Sequence, residues 1–529
     1  MRWLIKPEGT LRECLVVFAA VVGAYVFLRG SGLFFVGAFN DDGAYTMLGK
    51  SLADGKGYRL PYLLGDPVAV KYPPGLPALL AIPWALGGTL AAVRATIGIL
   101  NPIVCGLAAA VIWWIGRRDL ALSRGPLAVA AIGPFLLDAA IQYYNIALSE
   151  PYFLLGWAIS LALTGSATRT GEALALGLVL AVTTLFRSAG VVLIPACLAA
   201  LALRRVPWRV VGIAAAAAIA PLIVWAVVHG RLVAQGPLSS SPDEVSYWSL
   251  IPSGSELPAY LLRALPSNGG IYFSKLSSAL AGSAVLGNLL VIGVLVTAAV
   301  GAFLSWRRAP AITLTVVGSL AVVLIWPFAQ DRFLLPVLPF IGLLAAVAVT
   351  RGAARMPARL RMVAPLGLAL VSLVVGLRQA ELRSLAASSF MRGTAPAQRD
   401  VSIFFILAAS SRHIGVLSEW VRANTTPQDR LLVDFPAATH MYSGRETASA
   451  SPAESPYALS VFRHPGRYLA SRILEDSITV VAIGIRGRLM RDIETIASAC
   501  PAVLQRVALN AEFFRVTRDE PCLRRIAPP

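Results

Sequence analysis

From Cys14 to Phe39 the chain is apolar over a length that crosses a bilayer, and comparable stretches recur as far as Leu377. Inside hydrocarbon, a segment of this kind satisfies its own backbone as a helix. Composition agrees. Of 529 residues, 57% are hydrophobic and 14% charged, and the mean hydropathy is +0.70. A soluble domain carries roughly 25% charged residues. The chain is therefore read as a polytopic helical membrane protein. Its net charge of +18 does not point to nucleic acid, because much of the Arg lies in short loops between apolar runs. The first run is too long for a cleavable signal, and no small-residue cleavage site with a soluble domain behind it appears.

Basic loops give the expected topology. Arg2, Lys6 and Arg12 place the N-terminus in the cytoplasm. The first span delivers Asp41 and Asp42 to the outer face, where residues 37–73 form an external loop. The segment 74–88 is too short and Pro-rich for a full span and reads as a partly embedded helix. Spans then alternate over 90–115, 127–146, 151–163, 173–186, 191–203 and 210–228. Residues 229–280 make a second large external loop. Further spans follow at 285–304, 312–328, 333–349 and 362–377. The clusters Arg117–Arg118–Arg124, Arg204–Arg205–Arg209, Arg307–Arg308 and Arg351–Arg361 all fall on the inner side. The expectation is about eleven spans, with the C-terminus outside. Residues 1–378 form the membrane domain and 379–529 an extracytoplasmic soluble domain. In the latter, 430–435 and 477–485 read as strands, 489–499 as helix and 506–517 as strand, which makes a small α/β unit. Cys14, Cys105 and Cys197 lie in apolar runs, whereas Cys500 and Cys522 lie in the external unit and can pair there.

Few polar residues are placed to do chemistry, and most gather on the outer side. Asp41 and Asp42 follow the first span; together they can supply a base, or more plainly cap a helix. Lys71 precedes the turn Tyr72-Pro73-Pro74-Gly75 and is either a snorkelling lysine or a phosphate ligand at the membrane surface. Arg187 lies outside, against the positive-inside trend, which suggests an anionic partner. Arg332 stands beside Asp331 and can simply pair with it. Glu150 opens an inbound span, where a helix dipole favours it. Asp138 is the main ionisable residue that falls within a span. No Walker loop, Ser-His-Asp set or HExxH motif is present, which removes an ATP-driven pump. No Cys/His cluster supports a metal.

The segments Asp41-Asp42-Gly43-Ala44-Tyr45, Lys71-Tyr72-Pro73-Pro74-Gly75-Leu76-Pro77, Ser149-Glu150-Pro151, Arg187-Ser188-Ala189-Gly190 and Arg332-Phe333-Leu334-Leu335-Pro336 come in a telling order. In that order they resemble the GT-C fold membrane glycosyltransferases, in the branch of the protein O-mannosyltransferases and the lipid A aminoarabinose and galacturonic acid transferases. The resemblance covers roughly the first two-thirds of the chain. Asp41 matches the family's catalytic acid, and Asp42 stands where members commonly carry Glu. The resemblance implies a polyprenyl-phosphate sugar donor, an inverting transfer outside the cytoplasm and a catalytic aspartate in the first external loop.

The expected function is thus transfer of a sugar from a polyprenyl-phosphate donor to a lipid, glycan or protein acceptor. Asp41 and Asp42 are the candidate catalytic residues. Lys71, Arg187 and Arg332 are expected to bind the donor phosphate, and Tyr45, Tyr72 and Glu150 the substrate. No cofactor is required by the sequence, and a divalent cation is left open. The alternatives are a transporter or flippase, which would place ionisable groups at mid-bilayer, and a polymerase or ligase for lipid-linked glycans. The latter would draw on His229, Arg231 and Arg263 in the second external loop. The expected location is the bacterial inner or plasma membrane.

Overall fold

The computed structural model describes residues 7–28, 35–238, 250–357, 363–392, 403–450, 465–483, 488–507, 513–517 and 519–527. In chain order the membrane bundle begins with α1 (Pro7–Leu28), α2 (Asp41–Ala53), α3 (Gly75–Gly87) and α4 (Leu90–Arg118). Then come α5 (Arg124–Ile132), α6 (Asp138–Tyr143), α7 (Glu150–Ser166), α8 (Thr170–Phe186), α9 (Leu193–Leu203) and α10 (Trp208–Gln235). The last group is α11 (Leu257–Leu280), α12 (Ala284–Ser305), α13 (Pro310–Ile325), α14 (Asp331–Leu334), α15 (Leu338–Arg355) and α16 (Val363–Arg392). Among the described residues, α1, α4, α10, α12 and α15 are long and apolar enough to cross a membrane. The protein is a multi-pass membrane protein.

Small residues let these helices approach closely, because hydrocarbon gives apolar side chains no reason to prefer each other over lipid. A Cβ on Gly301 of α12 would fall 1.7 Å from the Leu344 carbonyl of α15. One on Gly177 of α8 would fall 2.4 Å from the Ala214 carbonyl of α10. One on Gly156 of α7 would fall 2.1 Å from the Thr183 hydroxyl of α8.

Several expected spans are not single helices. The span expected at 127–146 is α5, a 3-10 turn at Gly133–Leu136, and then α6. Pro134 removes a backbone donor inside the 3-10 turn, and the chain leaves the helical region at Leu137, whose ψ is 140°. The span expected at 333–349 is the single turn α14 followed by α15, interrupted at Pro336. The second large loop carries a 24-residue helix, α11. Its Pro and Gly content hides it in the sequence, and its contacts to α13 hold it: the Tyr260 hydroxyl donates to the Ile325 carbonyl at 2.6 Å. The expected division after residue 378 falls inside α16. Arg378 donates to the Ser278 carbonyl at 3.0 Å, so this part of α16 is fastened to the bundle.

The two ends of the bundle differ in charge. At one end Glu13 pairs with Arg117 at 3.2 Å and Arg124 at 2.7 Å. There Arg118 donates to the Ala162 carbonyl, Arg204 to that of Thr164 and Arg351 to that of Leu304. These basic groups cap the carbonyl ends of α7 and α12. The opposite end carries α2, the segment 58–75 and the C-terminal unit.

That unit begins with α17 (Ile403–Asn424) and contains a five-stranded sheet of order β2-β1-β3-β5-β4. The strands are β1 (Leu431–Val433), β2 (Thr447–Ser449), β3 (Val480–Ala482), β4 (Leu504–Arg506) and β5 (Phe513–Val516). β1 is parallel to β2 and β3, whereas β5 is antiparallel to β3 and β4. Helices are α18 (Pro436–Ser443), α19 (Pro465–Glu475), α20 (Arg488–Ala499) and α21 (Glu520–Ile526). Both sheet faces are covered, so β1 and β3 are apolar throughout. Leu431, Val433 and Phe513 face Leu417 and Val421 of α17, while Leu432, Val481 and Phe514 face the other side with Ile473 and Ile496. The strand expected over 506–517 is one arm of a hairpin, and β2 was not anticipated. Cys500 and Cys522 form a disulfide between α20 and α21.

The unit is seated on the first loop. The edge strand β2 exchanges hydrogen bonds with that loop: Leu64 N–H to Thr447 O and Thr447 N–H to Tyr62 O, both at 3.1 Å. α18 lies against the start of α2. A Cβ on Gly43 would meet that of Ala437 at 2.9 Å, and one on Gly37, whose φ is +94°, would meet that of Ala438 at 2.7 Å. Gly43→Val is therefore expected to force α2 and α18 apart and cost about 1–3 kcal/mol. Thermal unfolding of the detergent-solubilised protein measures this, with Gly212→Ala, which meets open space inside α10, as a control that should not destabilise.

Candidate functional site

The residue before α2, Asn40, has φ 63° and ψ −67°, and the Asp41 N–H bonds back to the Phe39 carbonyl at 2.8 Å. This is a γ-turn of the rare, positive-φ kind, and such turns cost of order 1–3 kcal/mol unless their surroundings hold them. Asp42 holds this one. Its Oδ2 accepts the Gly37 N–H at 2.7 Å and its Oδ1 the Phe39 N–H at 3.0 Å. The Asp42 carboxyl is buried, which pushes it up to about 6 against the pull of those N–H groups. Asp42 does not line the cavity described below.

Asp41 faces the other way. Its Oδ1 accepts from the Tyr72 hydroxyl at 3.0 Å and lies 3.5 Å from Lys71 Nζ; its Oδ2 pairs with Arg332. Burial pushes the Asp41 carboxyl up, but Arg332, Lys71 and the Tyr72 hydroxyl outweigh it and hold it well below the usual carboxylate range. Tyr72 and Lys71 are placed by the segment that precedes them. The Tyr58 hydroxyl donates to the Tyr72 carbonyl at 2.8 Å, and the Ala69 carbonyl lies 2.7 Å from His229 Nε2. The Pro73-Pro74-Gly75 turn then presses on the end of α8. A Cβ on Gly75 would fall 2.8 Å from the Leu185 carbonyl, so only Gly lets this turn pack directly on the end of α8.

The second carboxylate is Glu150, fully buried at the first residue of α7. It pairs with Arg187 at 2.7 Å and lies 3.6 Å from Arg332 Nε. Arg332 bridges the two carboxylates, donates to Gln330 Oε1 at 2.8 Å and stacks on Phe39 and Phe333. Arg187 covers the same Phe333 ring from 4.9 Å. Asp331 does not pair with its neighbour; it takes Lys275 of α11 at 2.5 Å. Tyr45 packs edge-on against Tyr72 with ring centres 5.0 Å apart, and its hydroxyl lies 3.5 Å from that of Ser149.

Some of these groups line one cavity, and Lys71, Tyr72 and Glu150 stand behind its lining, paired with Asp41, Arg187 and Arg332. Asp41, Tyr45, Arg187, Ser188 and Arg332 make its polar end, and Phe153, Val322, Val323 and Val337 its apolar wall. The arrangement can hold an anion attached to an apolar chain, with a carboxylate beside it. The structure thus brings Asp41, Lys71, Arg187, Arg332, Tyr45, Tyr72 and Glu150 together and sets Asp42 behind them. Among the described residues, no group of three or more His, Cys, Asp or Glu gathers to hold a metal. Asp138 opens α6, 3.6 Å from Arg383 Nε, away from this cavity. His229 is engaged by the Ala69 carbonyl, and Arg263 bonds the Ala259 carbonyl of its own helix.

Two supports carried no sequence signal beyond a lone amide in an apolar or loop-like stretch. Asn101 donates to the carbonyls of Tyr144 and Ile146 at 2.8 and 2.9 Å, which fixes the turn that leads to Glu150. Asn268 donates to the carbonyls of Leu324 and Trp326, both at 2.8 Å, just ahead of Arg332.

No protein-family model matches the chain, and no curated protein sequence does. In fold it is similar to ArnT from Cupriavidus metallidurans in two crystal structures. Against the structure bound to undecaprenyl phosphate the TM-score is 0.55, at 14% identity over 98% of each chain. Against the apo structure it is 0.54, at 14% identity over 98% of this chain and 99% of that one. The GT-C membrane fold read from the motif order is the fold observed.

Asp42→Ala is expected to leave the N–H groups of Gly37 and Phe39 unmet, at about 1–3 kcal/mol each. Asp42→Asn keeps one acceptor and should lose less. Because the folded carboxyl titrates near 6, up from 3.8, its contribution favours the folded state at acid pH and is lost as pH rises through 6. Melting temperatures of the three proteins between pH 4 and 8 check both points. Turnover abolished in Asp42→Asn with melting unchanged would instead give Asp42 a chemical role.

Proposed function

We propose that this protein is a membrane glycosyltransferase that moves a sugar from a polyprenyl-phosphate donor to an acceptor hydroxyl, with inversion, on the non-cytoplasmic face. The observation that carries this reading is the convergence of Lys71, Arg187 and Arg332 on Asp41 and Glu150, beside an apolar-walled cavity. The undecaprenyl phosphate bound to the similarly folded ArnT supports the lipid-phosphate class.

Charge balance also favours this donor. Three cations against two carboxylates leave the empty site at +1. A phosphodiester donor brings −1 and makes it neutral. In the reaction, the acceptor oxygen bonds the anomeric carbon as the bond from that carbon to the phosphate oxygen breaks. The bonding pair leaves with the phosphate, which gains one negative charge. The acceptor proton passes to Asp41, which loses one. The site stays neutral throughout, so no buried charge is left unpaired at either end of the step.

The same network tunes the base. While the site is empty, Arg332 and Lys71 hold Asp41 ionised and poorly basic. A donor phosphate competes for both cations, and Asp41 then becomes a stronger base beside the anomeric carbon. Glu150 keeps Arg187 and Arg332 in place, Tyr45 shapes the wall next to Asp41, and Tyr72 orients the Asp41 carboxylate from behind that wall. Each carboxylate here is already occupied by a guanidinium or ammonium group, which is a poor donor set for a divalent cation. The three cations take the part that a metal would play at the leaving phosphate.

Asp41→Asn is expected to lower kcat by roughly 10²–10⁴-fold while undecaprenyl phosphate still binds, because the base is lost and the cations remain. Lys71→Ala, Arg187→Ala and Arg332→Ala should each weaken donor use by about 2–4 kcal/mol in kcat/KM. Radiolabelled-donor turnover and lipid-phosphate titration test both; wild-type values in all four variants would end the reading.

For orientation, the basic end is assigned to the cytoplasm and the disulfide-bearing unit to the oxidising side. In intact cells, an impermeant thiol reagent should reach Cys500 and Cys522 only after reduction, and should not reach a cysteine engineered at Arg355. Labelling at that position without permeabilisation would invert the topology.

A further inference from the structure

α13 turns one face toward the cavity. Ser319, Val322, Val323 and Trp326 follow helical spacing and all line it. Ser319 supplies the one hydroxyl in that stripe. It is 6% exposed, and its Oγ has no hydrogen-bond partner. Many hydroxyls inside these helices bond back to the carbonyl one turn earlier, as Thr315 does to Ala311 at 2.8 Å, Ser305 to Gly301 at 2.7 Å and Thr183 to Val179 at 2.6 Å. Ser319 does not, and the other unmet hydroxyl of α13, that of Thr313, does not line the cavity. A buried hydroxyl is costly to leave unmet, so its natural partner is something that enters the cavity.

Position selects which part of the donor that is. The anomeric carbon has to lie at Asp41, on the loop side. The phosphate lies between the cations. Ser319 stands seven residues before Trp326, about 10 Å deeper along α13, on the bundle side of the cavity. The lipid end of the donor has to leave the phosphate in that direction, along the face that Ser319 shares with Val322 and Val323. The hydroxyl therefore sits where the phosphoester oxygens give way to hydrocarbon.

We propose that Ser319 is a donor-binding residue whose hydroxyl donates to a phosphate oxygen at the lipid end of the donor. The inference rests on the donor reading above. It gives the apolar wall of the cavity one neutral hydrogen-bond donor, on the bundle side of Arg187 and Arg332.

The test is titration of undecaprenyl phosphate into the purified full-length protein in detergent. Undecaprenol serves as the phosphate-free probe, and Arg332→Ala is run in parallel. Ser319→Ala is expected to bind the phosphate roughly tenfold more weakly, since a bond to a charged oxygen is lost. Ser319→Thr, which restores a hydroxyl, should bind within about twofold of wild type. Undecaprenol binding should not change in either variant. Ala is a better helix former than Ser, so a folding loss is not expected, and melting temperature records it. Wild-type affinity in Ser319→Ala, or an equal loss for undecaprenol, overturns the assignment. If Arg332→Ala is weakened and Ser319→Ala is not, the donor reading stands and only Ser319 falls. If wild type and Arg332→Ala bind alike, or wild type binds no lipid phosphate, both fail.

Discussion

The contact on which the rest of the site depends is the ion pair between Asp41 and Arg332, 291 residues apart in sequence. Both side chains are buried, and a buried charge is tolerated only with a partner. Removing one partner of such a pair typically costs about 3–5 kcal/mol, because the other is left uncompensated. The pair ties the first loop to the break between α13 and α15. Arg332 passes the constraint on to Glu150, and Glu150 to Arg187. Four distant parts of the chain are thereby held around one cavity by electrostatics rather than by apolar packing alone. The same linkage makes the site responsive, because an anion that enters it changes the partner of every cation at once.

Breaks in helices supply the positions this network needs, and each break exposes backbone that the membrane cannot solvate. Buried amides meet that demand. Asn101 caps carbonyls between α6 and α7, Asn268 caps those after α13, and Gln379 of α16 takes the Ala279 carbonyl near the end of α11 at 2.5 Å. Non-helical backbone survives inside a bundle only where such partners exist. The irregular segments next to Glu150 and Arg332 thus have carbonyls met by side chains of other helices.

The C-terminal unit acts on the site from behind. α18 packs into the space left by Gly37 and Gly43, and the Tyr442 hydroxyl accepts the Val36 N–H at 3.0 Å. Together with Asp42 these contacts hold the γ-turn at Asn40. The strain stored there aims Asp41 into the cavity, and contacts outside the cavity balance it. The transporter alternative places its ionisable groups at mid-bilayer; here the cations and carboxylates of the cavity lie at the end of the bundle that bears the C-terminal unit.

Much of this was legible in the linear chain. Long apolar runs with basic loops identify a multi-pass helical protein, since bilayer thickness and backbone satisfaction admit little else. The order of the Asp41, Lys71, Glu150, Arg187 and Arg332 motifs was enough to nominate one family fold and one face. Sequence left open which of two adjacent carboxylates faces the cavity. Neighbours on a helix point about 100° apart, and the choice between Asp41 and Asp42 was made by α18 and the γ-turn, which lie outside the motif. Nor could it find Asn101, Asn268 or Ser319. A single polar residue in an apolar run reads the same whether it bonds its own helix, caps a distant turn or waits in a cavity. Only the packing of helices remote in sequence decides which carbonyls lie within its reach.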